Sequence, residues 1–336
     1  MDPNINSTPL VSVLMPVFNG EKYLTEAIES ILTQTYTNFE FVIINDGSTD
    51  TTEEIIKAFS DSRIRLINNT TNIKLIATLN KGIQLCNGKY IVRMDADDVS
   101  LPDRIEVLVG FMEHNPDVGV CGSYYKIIGD NERVIKYPTS NDELKTSLLF
   151  FVPIAHPTTI WRKEVIAKNQ LGFDVNYIHA EDYKFWTEII EYSQLGNVPE
   201  ILLNYREHNN QISSLYADTQ KEKSQNIRKE LLQKIFTDIT VAEFKLWEEI
   251  IFGPQQYSEP LLVAELIKKI VDLNAEKRCY DNYLLMRKLA LIWKNVLLQL
   301  PSLTLKQYCL FNFHPLTKTY GWTLKQRLFL FLKIIK

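Results

Sequence analysis

The chain has 336 residues, of which 45% are apolar and 23% charged, and its formal net charge is −4. Those proportions belong to a globular protein large enough for two domains, and they exclude a disordered or collagen-like chain. Cys86, Cys121, Cys279 and Cys309 lie far apart and match no zinc or redox spacing, which suits a reducing compartment; the polar N-terminus shows no signal peptide, and no uncharged apolar run reaches the ~18 residues of a membrane span.

Leu10–Val17 is an apolar, β-branched run that reads as a buried parallel strand. Asn19-Gly20 turns the chain, and Tyr23, Leu24, Ala27, Ile28, Ile31 and Leu32 then recur at helical spacing within Glu21–Gln34. Phe39–Ile44 is a second strand, a helix capped by Asp50 or Thr51 follows to Phe59, and Arg63–Ile67 is a third strand. A helix over Lys74–Cys86 leads to a fourth strand, Tyr90–Met94. Strands alternating with helices of this length predict βαβ units and a largely parallel sheet. Then the pattern changes. Val118–Ile128 and Glu132–Lys136 read as a hairpin about Gly129-Asp130, followed by a helix near Asp142–Phe150 and a short strand in His156–Trp161. Glu181–Tyr192 reads as a helix and Leu195–Leu203 as a strand. Beyond Tyr216 only helical patterns remain: 219–236, 241–251, 261–273, 282–300 and 324–335. A boundary near 215 therefore divides an α/β domain, 1–215, from a helical region, 216–336.

The strand Tyr90-Ile-Val92 ends in Asp95, Asp97 and Asp98, and Leu101-Pro-Asp-Arg104 opens an amphipathic helix with Pro102 suited to its first turn. Ligand sites of open α/β sheets lie at the carboxyl ends of strands. Two Asp at spacing i, i+2 can turn oxygens toward one hard cation that keeps waters for phosphate oxygens. The plainer alternative is a β–α turn in which Asp98 or Ser100 caps the helix. Capping uses one such side chain, and three neighbouring carboxylates repel unless something positive binds, so the metal reading is preferred. Neither G-x-G-x-x-G after the first strand nor G-x-x-x-x-G-K-[ST] occurs, which argues against dinucleotide and P-loop enzymes. Polar groups instead stand at successive strand ends: Asn19 and Glu21, then Asp46, then Asp95 and Asp97. Asp46 can accept N–H bonds from a nucleobase, main-chain groups of Pro16 and Val17 can hold the base edge, and Asp95 can accept a ribose hydroxyl. Arg93 can balance the carboxylates or reach a phosphate.

Val13–Gly20, Phe41–Asp50 and Val92–Asp98 together resemble the successive motifs of family 2 inverting glycosyltransferases, over roughly residues 10–210. The resemblance implies a GT-A fold: a mixed, mostly parallel sheet with helices on both faces, here followed by an α-helical C-terminal region. It implies a nucleotide-sugar donor, a UDP-sugar foremost, and Mn²⁺ or Mg²⁺ held by the D-x-D element. By the same resemblance Asp46 contacts the base, Asp95 the ribose or metal, and Asp97 the metal. Asn45 departs from the family's usual Asp-Asp-Gly-Ser and leaves Asp46 in place. His179–Trp186 resembles the family's Glu-Asp motif, which makes Asp182 the base that deprotonates the acceptor. On residue type alone, Glu181 and Asp182 are acids at a helix start, where the dipole favours them. His208 and Arg206 match, loosely, a later metal-completing His and a diphosphate-contacting cation. His156, before Pro157, falls in a stretch resembling the acceptor-side strand, and Trp186 suits either a sugar site or the core. Neither the Gln-x-x-Arg-Trp element nor the membrane spans of processive members occur, which implies one sugar per encounter, passed to a glycan or lipid-linked acceptor of surface polysaccharide or glycoconjugate synthesis.

After Asp281 there is no carboxylate, while nine Lys and Arg lie among Leu, Ile, Phe, Tyr and Trp. Trp322–Lys336 reads as a basic apolar helix suited to an anionic membrane surface or to docking on protein. The expected location is cytoplasmic or peripheral at the inner membrane face. No nucleic-acid module is recognisable. Two other readings compete: a catalytically silent GT-A scaffold or sugar-binding protein, and a sugar-phosphate nucleotidyltransferase. The second lacks the cation expected in the loop Pro16–Glu21.

Overall fold

A computed structural model describes residues 9–129, 131–207, 216–252, 260–299 and 304–305. Two compact units emerge, one from the chain up to Leu144 with Val152–Ser224, the other from Lys145–Phe151 with Gln225 onward. The chain passes from one unit to the other after Leu144, after Phe151 and after Ser224, where the sequence suggests a single division near 215. Among the described residues the first unit carries a nine-stranded sheet in the order β3-β2-β1-β4-β8-β6-β9-β5, with β7 paired to β6. Its strands are β1 Val11–Val17, β2 Phe39–Asn45, β3 Ile64–Asn68, β4 Tyr90–Arg93, β5 Val99–Ser100, β6 Val118–Ile128, β7 Arg133–Ile135, β8 Ile160–Arg162 and β9 Gln194–Arg206. The pairs β2/β3, β1/β2 and β1/β4 are parallel, as are β6 and β9; β8 runs antiparallel to both β4 and β6. This is the mixed, mostly parallel GT-A arrangement with helices.

β1 and β2 are buried at every residue, as strands covered on both faces must be. Alternation decides what each face meets. Val11, Val13 and Met15 join α1 (Leu24–Leu32) and α4 (Arg104–His114) in one core through Leu24, Ile28, Ile31, Ile105, Leu108 and Met112. Leu14 points the other way, onto α3 (Leu75–Leu85), so closely that a Cβ on Gly82 would lie 2.4 Å from its Cδ1. The remaining helices of this unit are α2 (Thr52–Ala58), α6 (Lys163–Lys168) and α7 (Glu181–Ile189), and α5 (Asn141–Leu148) leads out of it.

Some elements differ from the sequence expectation, each for a local reason. Residues 21–23 form a turn, and α1 starts at Leu24, because the Glu21 carboxylate bonds Thr51 instead of opening the helix. Pro102 lies ahead of the N-cap Asp103 rather than in the first turn of α4. His156–Thr158 is a 3₁₀ turn, with β8 beginning only at Ile160. Pro157 has no N–H for a ladder, and the Thr158 and Thr159 hydroxyls donate to the carbonyls of Ala155 and His156, both at 2.7 Å. α6 was not foreseen.

The second unit is helical: α8 (Ala217–Ile235, which begins in the first unit), α9 (Val241–Phe252), α10 (Pro260–Lys277) and α11 (Asn282–Gln299). Within it Phe150 lies 5.4 Å from Trp247 between ring centroids. The Arg228 guanidinium donates to both Glu248 oxygens at 2.7 and 2.6 Å, out of solvent. No helix among the described residues is long and apolar enough to cross a membrane. The helix expected over 324–335 lies outside them.

Candidate active site

The strand ends of β1, β2 and β4 stand side by side in the parallel ladder, Val17 opposite Asn45 and Leu14 opposite Arg93. The first two loops are stitched together. The Asn19 N–H donates to Ser48 Oγ at 2.9 Å, and Asn19 Oδ1 accepts the Thr49 N–H at 2.8 Å. The Glu21 carboxylate takes the N–H and hydroxyl of Thr51, while its own N–H reaches Asp50. Asn19 adopts φ 51°, a left-handed conformation that Asn tolerates. Both polar side chains foreseen for nucleotide contact therefore bond one loop to the other. The main chain of Pro16 and Val17 lies in the β1/β2 ladder, and the Val17 carbonyl accepts the Asp46 N–H at 2.8 Å.

Asp46 is buried and turned onto the segment before α3. It accepts from Asn69 Nδ2 at 2.7 Å and from the N–H groups of Ile73 and Lys74, both at 2.9 Å. Gly47 has φ +70°, and a Cβ there would stand 2.7 Å from the Thr71 carbonyl carbon, so only glycine lets these loops close. A carboxylate has about four lone-pair positions, which leaves Asp46 some capacity for a base.

Beyond β4 the chain places one oxygen each of Asp95, Asp97 and Asp98 within 4.8 Å of one another. Asp98 is not a helix cap. It is fully buried, its Oδ1 accepts the Arg206 N–H at 2.9 Å, and its Oδ2 has no hydrogen-bond partner among the described residues. Burial pushes its carboxyl well above the ordinary range, and the neighbouring Asp95 and Asp97 push it further. An all-oxygen set with a buried, unpartnered oxygen fits a hard divalent cation such as Mn²⁺ or Mg²⁺. Arg206 secures this loop from β9. Its Nε donates to the Asp97 carbonyl at 2.9 Å and its Nη2 to the Glu26 carboxylate at 2.5 Å.

Two buried arginines lie beneath. Arg93 pairs with Asp95 at 2.5 Å and also donates to the Met94 carbonyl. Arg104, which the sequence reading treated only as a helix residue, donates to the carbonyls of Arg93 and Pro157, both at 2.6 Å, and to Ser100 Oγ at 2.8 Å. Burial brings its pKa down to about 10, against the pull of Asp98. Only its place inside the fold distinguishes it from a surface helix arginine.

Asp182 opens α7 and accepts the Tyr183 N–H at 2.7 Å. Burial pushes its carboxyl up to about 6; the Tyr183 N–H and Arg93 act against the rise, and Asp95 adds to it. The charges of Arg93 and Asp95 thus bear on Asp182. Burial and Asp182 together push Glu181 up to about 7. His156 is buried against the rings of Trp161, Phe173 and Trp186, and burial followed by the Arg93 charge drives its pKa well down. Trp186 is itself fully buried in that cluster. His208 lies outside the described residues.

Comparison with known proteins gives one consistent kinship. The model of "Glycosyl transferase family 2" matches residues 12–169. An uncharacterized glycosyltransferase of Haemophilus influenzae is 41% identical over 256 residues, covering 70% of this chain and 79% of its own. The UDP-Glc:alpha-D-GlcNAc-diphosphoundecaprenol beta-1,3-glucosyltransferase WfgD of Escherichia coli is 30% identical over 207 residues, 61% of this chain and 80% of its own. Among solved structures, TarS 1-349 of S. aureus with UDP-GlcNAc aligns at a TM-score of 0.55 and 18% identity, covering 85% of this chain and 88% of that one. The mannosyltransferase PcManGT of Pyrobaculum calidifontis, in complex with GDP-Man and Mn2+, aligns at 0.53 and 16% identity, covering 100% of this chain and 88% of that one. At such identities the two structures speak for the fold alone.

Proposed function

The chain belongs to glycosyl transferase family 2, and on that premise we propose that it is a metal-dependent, inverting transferase moving one sugar from a UDP-sugar to a hydroxyl of a glycan or lipid-linked acceptor. The observation that carries this reading is the junction of Asp95, Asp97 and Asp98 with Asp182, one set suited to a cation and the other to proton abstraction. The WfgD name supports a UDP-sugar and a lipid-linked acceptor, and surface polysaccharide synthesis as the setting.

Asp95, Asp97 and Asp98 would hold Mn²⁺ or Mg²⁺, which when bound supplies Lewis-acid stabilisation of the departing diphosphate. The chain's own residues do the rest. The walls formed by Asn19, Glu21 and Asp46 receive the nucleoside, with Pro16 and Val17 along the base edge. Arg93 orients Asp95, while Arg206 fixes the loop that carries Asp97 and Asp98. Asp182 takes the proton of the acceptor hydroxyl as that oxygen bonds the anomeric carbon from the far side. The bond from the anomeric carbon to the diphosphate oxygen breaks in the same displacement, and its electron pair leaves with the nucleoside diphosphate.

Calorimetric titration with UDP, GDP and TDP, in Mn²⁺ and then in EDTA, tests the donor half. Binding of one nucleotide that needs metal and is lost in Asp97→Ala is expected; a folded protein that binds none of the three would refute the reading. Contact of the basic 282–336 region with a membrane is part of the proposal. It predicts salt-sensitive sedimentation with anionic vesicles, and equal sedimentation with neutral ones would count against it.

A further inference from the structure

β6, β9 and the continuation of β7 bring together a group of tyrosines that neither metal nor nucleotide binding requires. Tyr125 is in β6, Tyr137 follows β7 and Tyr205 is in β9. The register sets Tyr125 opposite Ile135 and beside Leu203, and Ile127 beside Tyr205. With a side-chain period of two, Tyr125, Tyr205 and the continuation of β7 at Tyr137 fall on one face. Their rings confirm it: Tyr125 lies 6.3 Å from Tyr137 at 45° and 5.6 Å from Tyr205 at 62°. All three side chains are half-buried.

Two contacts tie this face to the chemistry. α7, with Asp182 at its start, packs against β6, and the Asp182 charge reaches the Tyr137 phenol. Tyr205 immediately precedes Arg206, which clamps the backbone of Asp97 and the carboxylate of Asp98. A packing role alone would be served by Phe, since half-buried phenols carry a desolvation cost. Rings with hydroxyl edges suit a ligand that is apolar on its faces and hydroxylated at its rim.

We propose that Tyr125, Tyr137 and Tyr205 form the acceptor subsite, a stacking platform for a pyranose ring that presents one hydroxyl to Asp182. The acceptor is then recognised as a saccharide at the reacting end, whatever carries it further away. This rests on the transfer reading above.

The test uses the full chain with Mg²⁺ and the nucleotide identified by calorimetry. Saturation-transfer NMR is run against methyl α- and β-pyranosides of gluco, galacto, manno and N-acetylglucosamine type. At least one should be saturated through its ring C–H protons. Tyr137→Phe, which keeps the ring, and Tyr205→Ala should each weaken that contact about 3- to 10-fold and leave nucleotide affinity unchanged. Nucleotide binding without contact to any pyranoside would overturn the platform and leave the donor reading intact, as would contact that both variants preserve. Absence of nucleotide binding in the unaltered chain sinks the donor reading itself, which keeps the two failures apart.

Discussion

Asp182 must be ionised to act as a base, yet burial in the folded chain disfavours its charge and moves its pKa up to about 6. Two consequences follow at this residue. The rate of transfer at subsaturating acceptor should rise with pH through about 6 and level above it, and Asp182→Asn should abolish transfer without abolishing metal-dependent nucleotide binding. Stability should move the opposite way. The unfolded carboxyl ionises near its ordinary value of 3.8, so between that pH and about 6 the folded state holds the extra proton and loses stability as pH rises. Thermal melts at pH 8 should therefore show Asp182→Asn more stable than the native chain, by about 1–3 kcal/mol; an unchanged or lower melting temperature would contradict the assigned burial. Arg104 has a different standing. It touches no proposed ligand position, yet it braces the carbonyls on either side of the site, those of Arg93 and Pro157.

Among elements, the parallel strands β1, β2 and β4 do the positioning. β1 and β2 end level, Val17 opposite Asn45, and β4 ends opposite Leu14, so the loops from all three leave the same edge of the sheet. The β1 and β2 loops hold each other through Asn19, Ser48 and Thr49 and through Glu21 and Thr51. Asp46 similarly anchors the segment leading into α3. Loosening one stitch should leave the fold intact and blur the pocket. Asn19→Ala is expected to weaken nucleotide binding about 3- to 10-fold, the worth of roughly one hydrogen bond, with little change in melting temperature. An unchanged nucleotide affinity would show that the stitch does not shape the pocket. These bonds cross some thirty residues of sequence. Asn19, Glu21 and Asp46 are visible as polar groups at strand ends, but their partners are chosen by which loops the sheet sets side by side.

For the whole molecule, the segment Lys145–Phe151 leaves the α/β unit and belongs with the helices, where Phe150 meets Trp247. The helical unit contains the buried Arg228–Glu248 pair. Removing one partner strands a charge without solvent, so Glu248→Leu should cost about 3–5 kcal/mol. Replacing both, with Arg228→Met added, should recover most of that loss in denaturant melts. A double variant as unstable as the single one would show that the pair contributes more than its charges.

The local chemistry was legible in the sequence. Periodicity placed the alternating strands and helices because a buried strand and an amphipathic helix each impose a repeat on their own residues. Asp95, Asp97 and Asp98 fall within four residues of sequence, so their shared place after β4 needed no folding to be seen. Tertiary structure decided what lies far apart in the chain. It buried Asp98 against the Arg206 N–H, set the Arg206 guanidinium against the Asp97 carbonyl and the Glu26 carboxylate, and placed Arg104 between the carbonyls of Arg93 and Pro157. It also gathered Tyr125, Tyr137 and Tyr205 on one face of the sheet. Pattern along a chain reports which face is buried; only the packed sheet determines which distant side chain occupies the other side of that burial.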